Sequence, residues 1–370
     1  MAVRFLDLKA QYESVRSDID RAIADVIRDS AFVSSEYVTR FEQEFAKYQG
    51  AIHCIGCGNG TDAIEIALEA LQLPQDAEVI VPANTFIASS EAVTRSGLRV
   101  VFCDCDADDY TISLSSVRSK LTQRTAAIVV VHLYGQPCNM DPVLELAAEY
   151  DLRVIEDCAQ AHGADYKGRR VGSIGTVGTF SFYPGKNLGG YGDAGAIVTN
   201  DANLAKMARM IANHGRIAKY DHEFEGRNSR LDGIQAAILS AKLPHLELWT
   251  ERRSMLARRY HDLLVSLEAV VLPARRNWGR HVHHAFVIRC KQRDALKTYL
   301  SGRGIETGIH YPIALPKLQA YAYLNQADED FFANRADREL LSLPIGDHMT
   351  ELDVEEVVSA CREFFSVHDH

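Results

Sequence analysis

The chain has 370 residues, of which 47% are hydrophobic and 24% charged, with a net charge of −10. That composition is one of an ordinary globular protein, and the acidic balance excludes a general nucleic-acid binder, which needs a basic face to release counterions. No run reaches the roughly 20 apolar residues of a spanning helix, and MAVRFLDLKAQY carries no basic stretch followed by an apolar core, so neither a membrane anchor nor a signal peptide is expected.

The first chemically suggestive stretch is CIGCGNGTDAIEIALEALQL, residues 54–73, in which three glycines run into an apolar-periodic helix starting near Thr61. Backbone N–H groups at the positive end of such a helix suit a phosphate. The loop is no P-loop, lacking Gly-Lys-Ser/Thr, and Cys54 and Cys57 have no second pair to complete a zinc site. From residue 78 onward, short Val/Ile-rich runs (Glu78–Val81, Arg99–Cys103, Ala126–Val131, Arg153–Glu156) alternate with helical spacing over Phe86–Ser96, Leu114–Leu121 and Asp141–Glu149. This pattern predicts a parallel α/β sheet with right-handed crossovers. Asp141-Pro142 reads as a helix cap followed by proline at the first helical position.

Asp157, in VIEDCAQAHGA, follows a strand at the carboxyl end where open α/β sheets hold ligands; as a sequence feature it is equally a turn or cap aspartate. Further strands are expected at Val177–Phe182 and Gly195–Thr199. Between them, SFYPGKNLGGYGD places Lys186 among Tyr183, Pro184 and glycines, where an ammonium is poorly hydrated and its pKa falls. A neutral amine attacks a carbonyl to form a Schiff base. A sheltered lysine, a carboxylate and a glycine-rich helix start have one common explanation in pyridoxal phosphate, whose aldehyde, ring nitrogen and phosphate they would respectively meet.

The remainder reads as a helical tract over Leu231–Leu267 passing a break at Pro244, a strand-like run His283–Cys290, a helix Arg293–Arg303 and a C-terminal helix from Glu351. A domain change is placed near Trp249, giving a large domain over residues 1–248, with a helical N-terminal segment, and a smaller α+β domain over 249–370. Four other signals are set aside. GYGDAG, residues 190–195, matches G-x-G-x-x-G but precedes a strand rather than a helix. FCDCDADDY lacks the Gly and Glu of a calcium loop and reads as a solvated loop. His281 and His283 in HVHHAF have no companion ligands and read as structural, and no metal is expected. ERRSMLARRY reads as the polar face of a linking helix.

The ordered set FLDLKAQY, NGTDAI, VPANTFIAS, VHLYGQPCNMD, VIEDCAQAHGA, SFYPGKNLGGYGDAGAIVTND, NSRLDGIQAAIL and HYPIAL resembles, over nearly the whole chain, the sugar aminotransferases often named for DegT and StrS. The resemblance implies the fold of type I pyridoxal-phosphate enzymes, with a mainly parallel seven-stranded sheet between helices. It implies that Lys186 carries the cofactor and shuttles the proton, that Asp157 pairs with the pyridinium, and that Gln160 contacts the phenolic oxygen. Gly60, Thr61 and Ser181 would hold the phosphate, Phe86 would stack on the ring, and Asn228 would reach the phosphate from the other subunit of a homodimer. Tyr183, Arg230, His310 and Tyr311 would line the sugar pocket. The expected activity is amino transfer from L-glutamate to a dTDP- or UDP-linked 3-keto hexose, with 4-keto sugars and a non-catalytic sensor as alternatives. A sugar dehydratase of the same family would carry histidine in place of Lys186. Scattered cysteines in apolar contexts point to the cytoplasm.

Overall fold

The computed structural model describes residues 2–368. Its centre is a seven-stranded sheet of β1 (His53–Cys57), β2 (Glu78–Pro82), β3 (Arg99–Cys103), β4 (Thr125–Val131), β5 (Arg153–Asp157), β6 (Val177–Ser181) and β7 (Gly195–Thr199), ordered β1-β7-β6-β5-β4-β2-β3. Neighbours from β3 to β6 run parallel, and β7 alone is antiparallel, to both β6 and β1. The strands are continuous Val/Ile runs because both faces are covered. Successive side chains alternate between two cores: Val79, Val81, Val129 and Ile155 lie on one side with the helices Gly60–Ala70 and Ala202–Ala212. Ile80, Ile128, Val130 and Val154 lie on the other with Phe41 and Phe45 of Glu36–Gln49 and Leu146 of Met140–Glu149.

The strands at Arg99–Cys103 and Gly195–Thr199 fall where the sequence places them. The sequence predicts no strand at β1, because Gly56 and two cysteines leave HCIGC little of the β-branched signal of its neighbours. Three further corrections concern boundaries. Asp141 does not cap its helix: the helix begins at Met140, after Asn139, which makes no side-chain cap bond, and Pro142 sits within the first turn. The expected tract Leu231–Leu267 is two helices, Gly233–Lys242 and Leu246–Leu264, joined by a 3-10 turn at Leu243–His245, since Pro244 has no N–H to continue the ladder. The run from His283 becomes strand only at β8 (Phe286–Arg289), which pairs antiparallel with β9 (Leu340–Leu343).

A C-terminal core gathers Leu256, Tyr260, Phe286, Leu300, Leu341 and Phe364. Along the helix Leu246–Leu264 the partners change: Trp249 packs with Val15, Ile19 and Ile238, whereas Leu256 onward joins the C-terminal core. This switch supports a proposed division into residues 1–248 and 249–370. The arginines of this helix are expected on its polar face, but not all of them lie there. Arg253 is buried and donates to the carbonyls of His283 and Ile345 at 3.2 and 2.9 Å. The acidic loop after β3 is likewise not simply solvated: Arg276 meets Asp109 at 2.7 Å and Asp106 at 3.0 Å. Among the described residues no helix is long and apolar enough to cross a membrane.

Candidate active site

The parallel strands bring their carboxyl ends to one edge of the sheet, the side on which such sheets bind ligands. Asp157 ends β5, Ser181 ends β6, Asn84 to Phe86 follow β2, and the glycine loop follows β1. Asp157 is buried; its Oδ2 accepts from Ser89 Oγ at 2.7 Å and its Oδ1 from the N–H of Ala159 at 3.1 Å. These bonds hold the carboxylate away from water without neutralising it, and no cation lies within ion-pair distance of it among the described residues.

Lys186 stands on the irregular loop between β6 and β7, where its backbone N–H closes a turn to Tyr183 O at 2.9 Å. Its Nζ makes no side-chain hydrogen bond among the described residues. Burial lowers its pKa from the ordinary lysine value, and the Asp157 carboxylate opposes the fall. The amine and the acid thus sense one another without pairing. Imidazoles surround them: burial and the charge of Lys186 push His162 down to about 3 and His310 to about 4, and lower His284 as well. The pocket therefore favours neutral bases.

The glycine loop closes tightly on β6. A Cβ placed at Gly60 would lie 2.5 Å from Ser181 Cβ, and one at Gly195 would overlap the carbonyl of Asn59. Asn59 caps the helix Gly60–Ala70 by accepting from Asp62 N at 2.8 Å, leaving the N–H groups of Gly60 and Thr61 at the helix start beside Ser181. Gln160 is fixed at both ends, its Oε1 accepting from Tyr134 N at 2.6 Å and its Nε2 donating to Tyr311 OH at 2.9 Å. The rings of Phe86 and Tyr311 lie 5.8 Å apart, and Phe86 is 55% exposed. His310 is held by Ser342 Oγ at 2.7 Å and stacks on Phe5, and its carbonyl accepts from Tyr134 OH.

Most of the expected residues are thus gathered at one edge. Asn228, Arg230 and Tyr183 differ. Asn228 is exposed and bridges only the backbone of Asn213, and Arg230 donates to Asn213 Oδ1 at 3.3 Å; neither contacts Lys186 or Asp157 among the described residues. Tyr183 is 59% exposed. Sequence reasoning missed Ser229, buried between these two, whose Oγ accepts from Gly58 N at 3.0 Å and donates to Asp62 Oδ2 at 2.6 Å. It also missed Ser89, one helical turn past Phe86 in the quoted VPANTFIAS. The one group whose ligand atoms cluster like a metal site among the described residues, His132, Glu156 and Cys158, is already engaged. Glu156 accepts from His132 Nε2 and from the N–H of Gly172, Ile174 and Gly175, while His132 Nδ1 accepts from Cys138 N.

Among the described residues, an unpartnered amine, a carboxylate lacking a cation and a close-packed helix start match the aldehyde, basic nitrogen and phosphate of pyridoxal phosphate, so the residues present fit that cofactor.

The profile of the DegT/DnrJ/EryC1/StrS aminotransferase family matches residues 13–362. The chain is 44% identical over 365 residues to dTDP-3-amino-3,4,6-trideoxy-alpha-D-glucose transaminase of Streptomyces venezuelae, covering 98% of this chain and 96% of that one. It is 40% identical over 361 residues to UDP-N-acetyl-3-dehydro-alpha-D-glucosamine 3-aminotransferase of Acidithiobacillus ferrooxidans, covering 98% and 97%. The crystal structure of S. venezuelae DesV in complex with a ketimine intermediate superposes with a TM-score of 0.96 at 42% identity, covering 98% of each chain.

Proposed function

Because this chain belongs to the DegT/DnrJ/EryC1/StrS aminotransferase family, we propose that it moves an amino group from L-glutamate to carbon 3 of a dTDP- or UDP-linked keto hexose, as a cytoplasmic homodimer. It is a pyridoxal-phosphate-dependent sugar aminotransferase, and the relatives acting at carbon 3 support the position. The observation that carries the reading is the half-buried Lys186, whose amine has no side-chain hydrogen-bond partner among the described residues and lies in the field of Asp157. Eight free, buried cysteines support a reducing compartment. The exposure of Asn228 and its lack of contact with the pocket support its acting across a subunit boundary.

When bound, pyridoxal phosphate supplies an electron sink for the carbanion left by removing a C–H proton from an amine substrate. Lys186 would attach the cofactor through Nζ and, once displaced by substrate, would take and return that proton, a role its lowered pKa suits. Asp157, ordered by Ser89 and Ala159, would hold a proton on the ring nitrogen. Gly60, Thr61 and Ser181 would hold the phosphate, and Gln160, braced by Tyr134 and Tyr311, would meet the phenolic oxygen. Phe86 would cover the ring, and Tyr183, Arg230, His310 and Tyr311 would orient the sugar nucleotide.

The test is a panel of thymidine- and uridine-linked 3-keto and 4-keto sugars with L-glutamate, following 2-oxoglutarate, with Lys186→Ala as control. Turnover of 3-keto sugars by the wild type alone is expected. Turnover confined to 4-keto sugars would overturn the position, turnover by Lys186→Ala the role of the lysine, and binding without turnover the catalytic reading.

A further inference from the structure

The loop that carries Lys186 has no regular secondary structure between Ser181 and Gly195, yet it must present one amine in one place. Within the loop, Gly190 N donates to Phe182 O at 2.8 Å. From outside, two side chains of the helix Gly233–Lys242 grip its far limb. Gln235 Oε1 accepts from Tyr191 N at 2.7 Å, and Lys242 Nζ donates to Gly189 O at 2.8 Å. The glycines permit this approach: a Cβ at Gly190 would lie 2.7 Å from Gln235 Oε1. On the opposite side Asn187 donates to Val282 O at 3.1 Å.

Lys242 is the unusual member of this clamp. It is 0% exposed, and besides Gly189 it donates to Gln11 Oε1 at 3.0 Å and lies 4.3 Å from the centre of the Tyr191 ring. Gln11 in turn donates to the Asp347 carboxylate at 3.4 Å. Burying an ammonium is costly, and an apolar side chain of equal length would fill the same space at no such cost. Burial brings its pKa down to about 8, Asp347 opposing the fall. The chain keeps a desolvated cation where the groups it ties together are the Lys186 loop, the N-terminal helix Leu8–Ser14 and, through Gln11, Asp347 ahead of the C-terminal helix.

We propose that Lys242, together with Gln235, is a positioning residue for the reaction at Lys186: it pins the Gly189 carbonyl and so fixes the loop that aims the amine. This rests on the reading of Lys186 as the reacting amine. Lys242 touches no reacting atom, and its removal leaves the pocket residues in place while letting the loop that joins them move.

The test compares wild type with Lys242→Met, of similar length and without charge, and with Gln235→Leu, which removes only the acceptor for Tyr191 N. Hydrogen exchange over residues 183–193 in the cofactor-free protein reads the loop independently of catalysis, and kcat and KM for glutamate and the keto sugar read its consequence. In Lys242→Met, exchange in this loop is expected to rise about fivefold or more while β4 and β5 keep their protection. The kcat is expected to fall at least about tenfold with sugar KM within about twofold. Gln235→Leu is expected to move both readouts in the same direction and decides the matter should Lys242→Met fail to fold. Wild-type exchange in a folded variant, or raised exchange with unchanged kcat, overturns the proposal. Turnover by Lys186→Ala instead overturns the reading beneath it.

Discussion

Glu156→Gln removes one oxygen from the buried carboxylate next to Asp157. Oε1 accepts from Ile174 N at 2.8 Å and Gly175 N at 2.6 Å, and Oε2 from His132 Nε2 at 3.0 Å and Gly172 N at 2.7 Å. His132 cannot turn acceptor toward the new amide, because its Nδ1 already accepts from Cys138 N at 3.0 Å. A glutamine keeps its oxygen toward one pair of donors and points an NH2 at the other, leaving two buried donors unpaired. At about 1–3 kcal/mol for each, the loss is about 2–6 kcal/mol. For 370 residues unfolding with about 0.8 kcal/mol per kelvin of entropy, this lowers the midpoint by about 3–8 °C. Differential scanning calorimetry at neutral pH measures it. Burial pushes Glu156 up, but the His132 bond and the N–H groups of Gly172 and Gly175 outweigh it and hold the carboxyl below its ordinary value. A depressed folded pKa means that its stabilisation is present above the unfolded value near 4.5 and is lost as pH falls through the folded one. The gap between wild type and variant therefore narrows on acidification below about pH 4.5. A midpoint within about 1 °C of wild type would refute the hydrogen-bond count.

Ser89→Ala removes the hydroxyl that donates to Asp157 Oδ2 at 2.7 Å. A bond to a charged group is worth about 1.5–3 kcal/mol, so kcat is expected to fall about tenfold or more with KM little changed; an unchanged kcat would show that Asp157 is oriented without it. In the cofactor-free protein, labelling of Lys186 by an amine-selective reagent is expected to reach half its maximum below the pH of an ordinary lysine, since burial favours the neutral form. Asp157→Asn removes the opposing charge and is expected to move that midpoint lower still; a shift upward would contradict the assigned electrostatics.

The reach of the sequence follows the range of the contacts involved. Lys186, Asp157 and the glycine loop stand out because each carries its oddity locally: a cation among glycines, an acid closing an apolar strand, glycines before a helix. The parallel sheet is legible for a similar reason, since two-sided burial writes itself into Val/Ile runs such as TAAIVVV. Lys242 and Arg253 were not legible, because in sequence each is an ordinary cation on a helix. Only folding brings Lys242 against Gly189 and Arg253 against the carbonyl of Ile345. The Glu156 cluster was equally hidden, its donors coming from His132 just past β4 and from the turn at Gly172–Gly175. The acidic loop was misread for the same reason, its partner Arg276 lying far along the chain. Pockets built from several chain segments, as around His310 and Tyr311, became visible through motif order rather than through any property of those residues alone.

The central claim is that one amine, Nζ of Lys186, carries the cofactor. Borohydride reduction of the holoenzyme followed by peptide mass mapping tests it most directly. The expected result is a reduced pyridoxyl phosphate adduct on Lys186, absent from Lys186→Ala; an adduct on another lysine, or none in a fully active preparation, would contradict it.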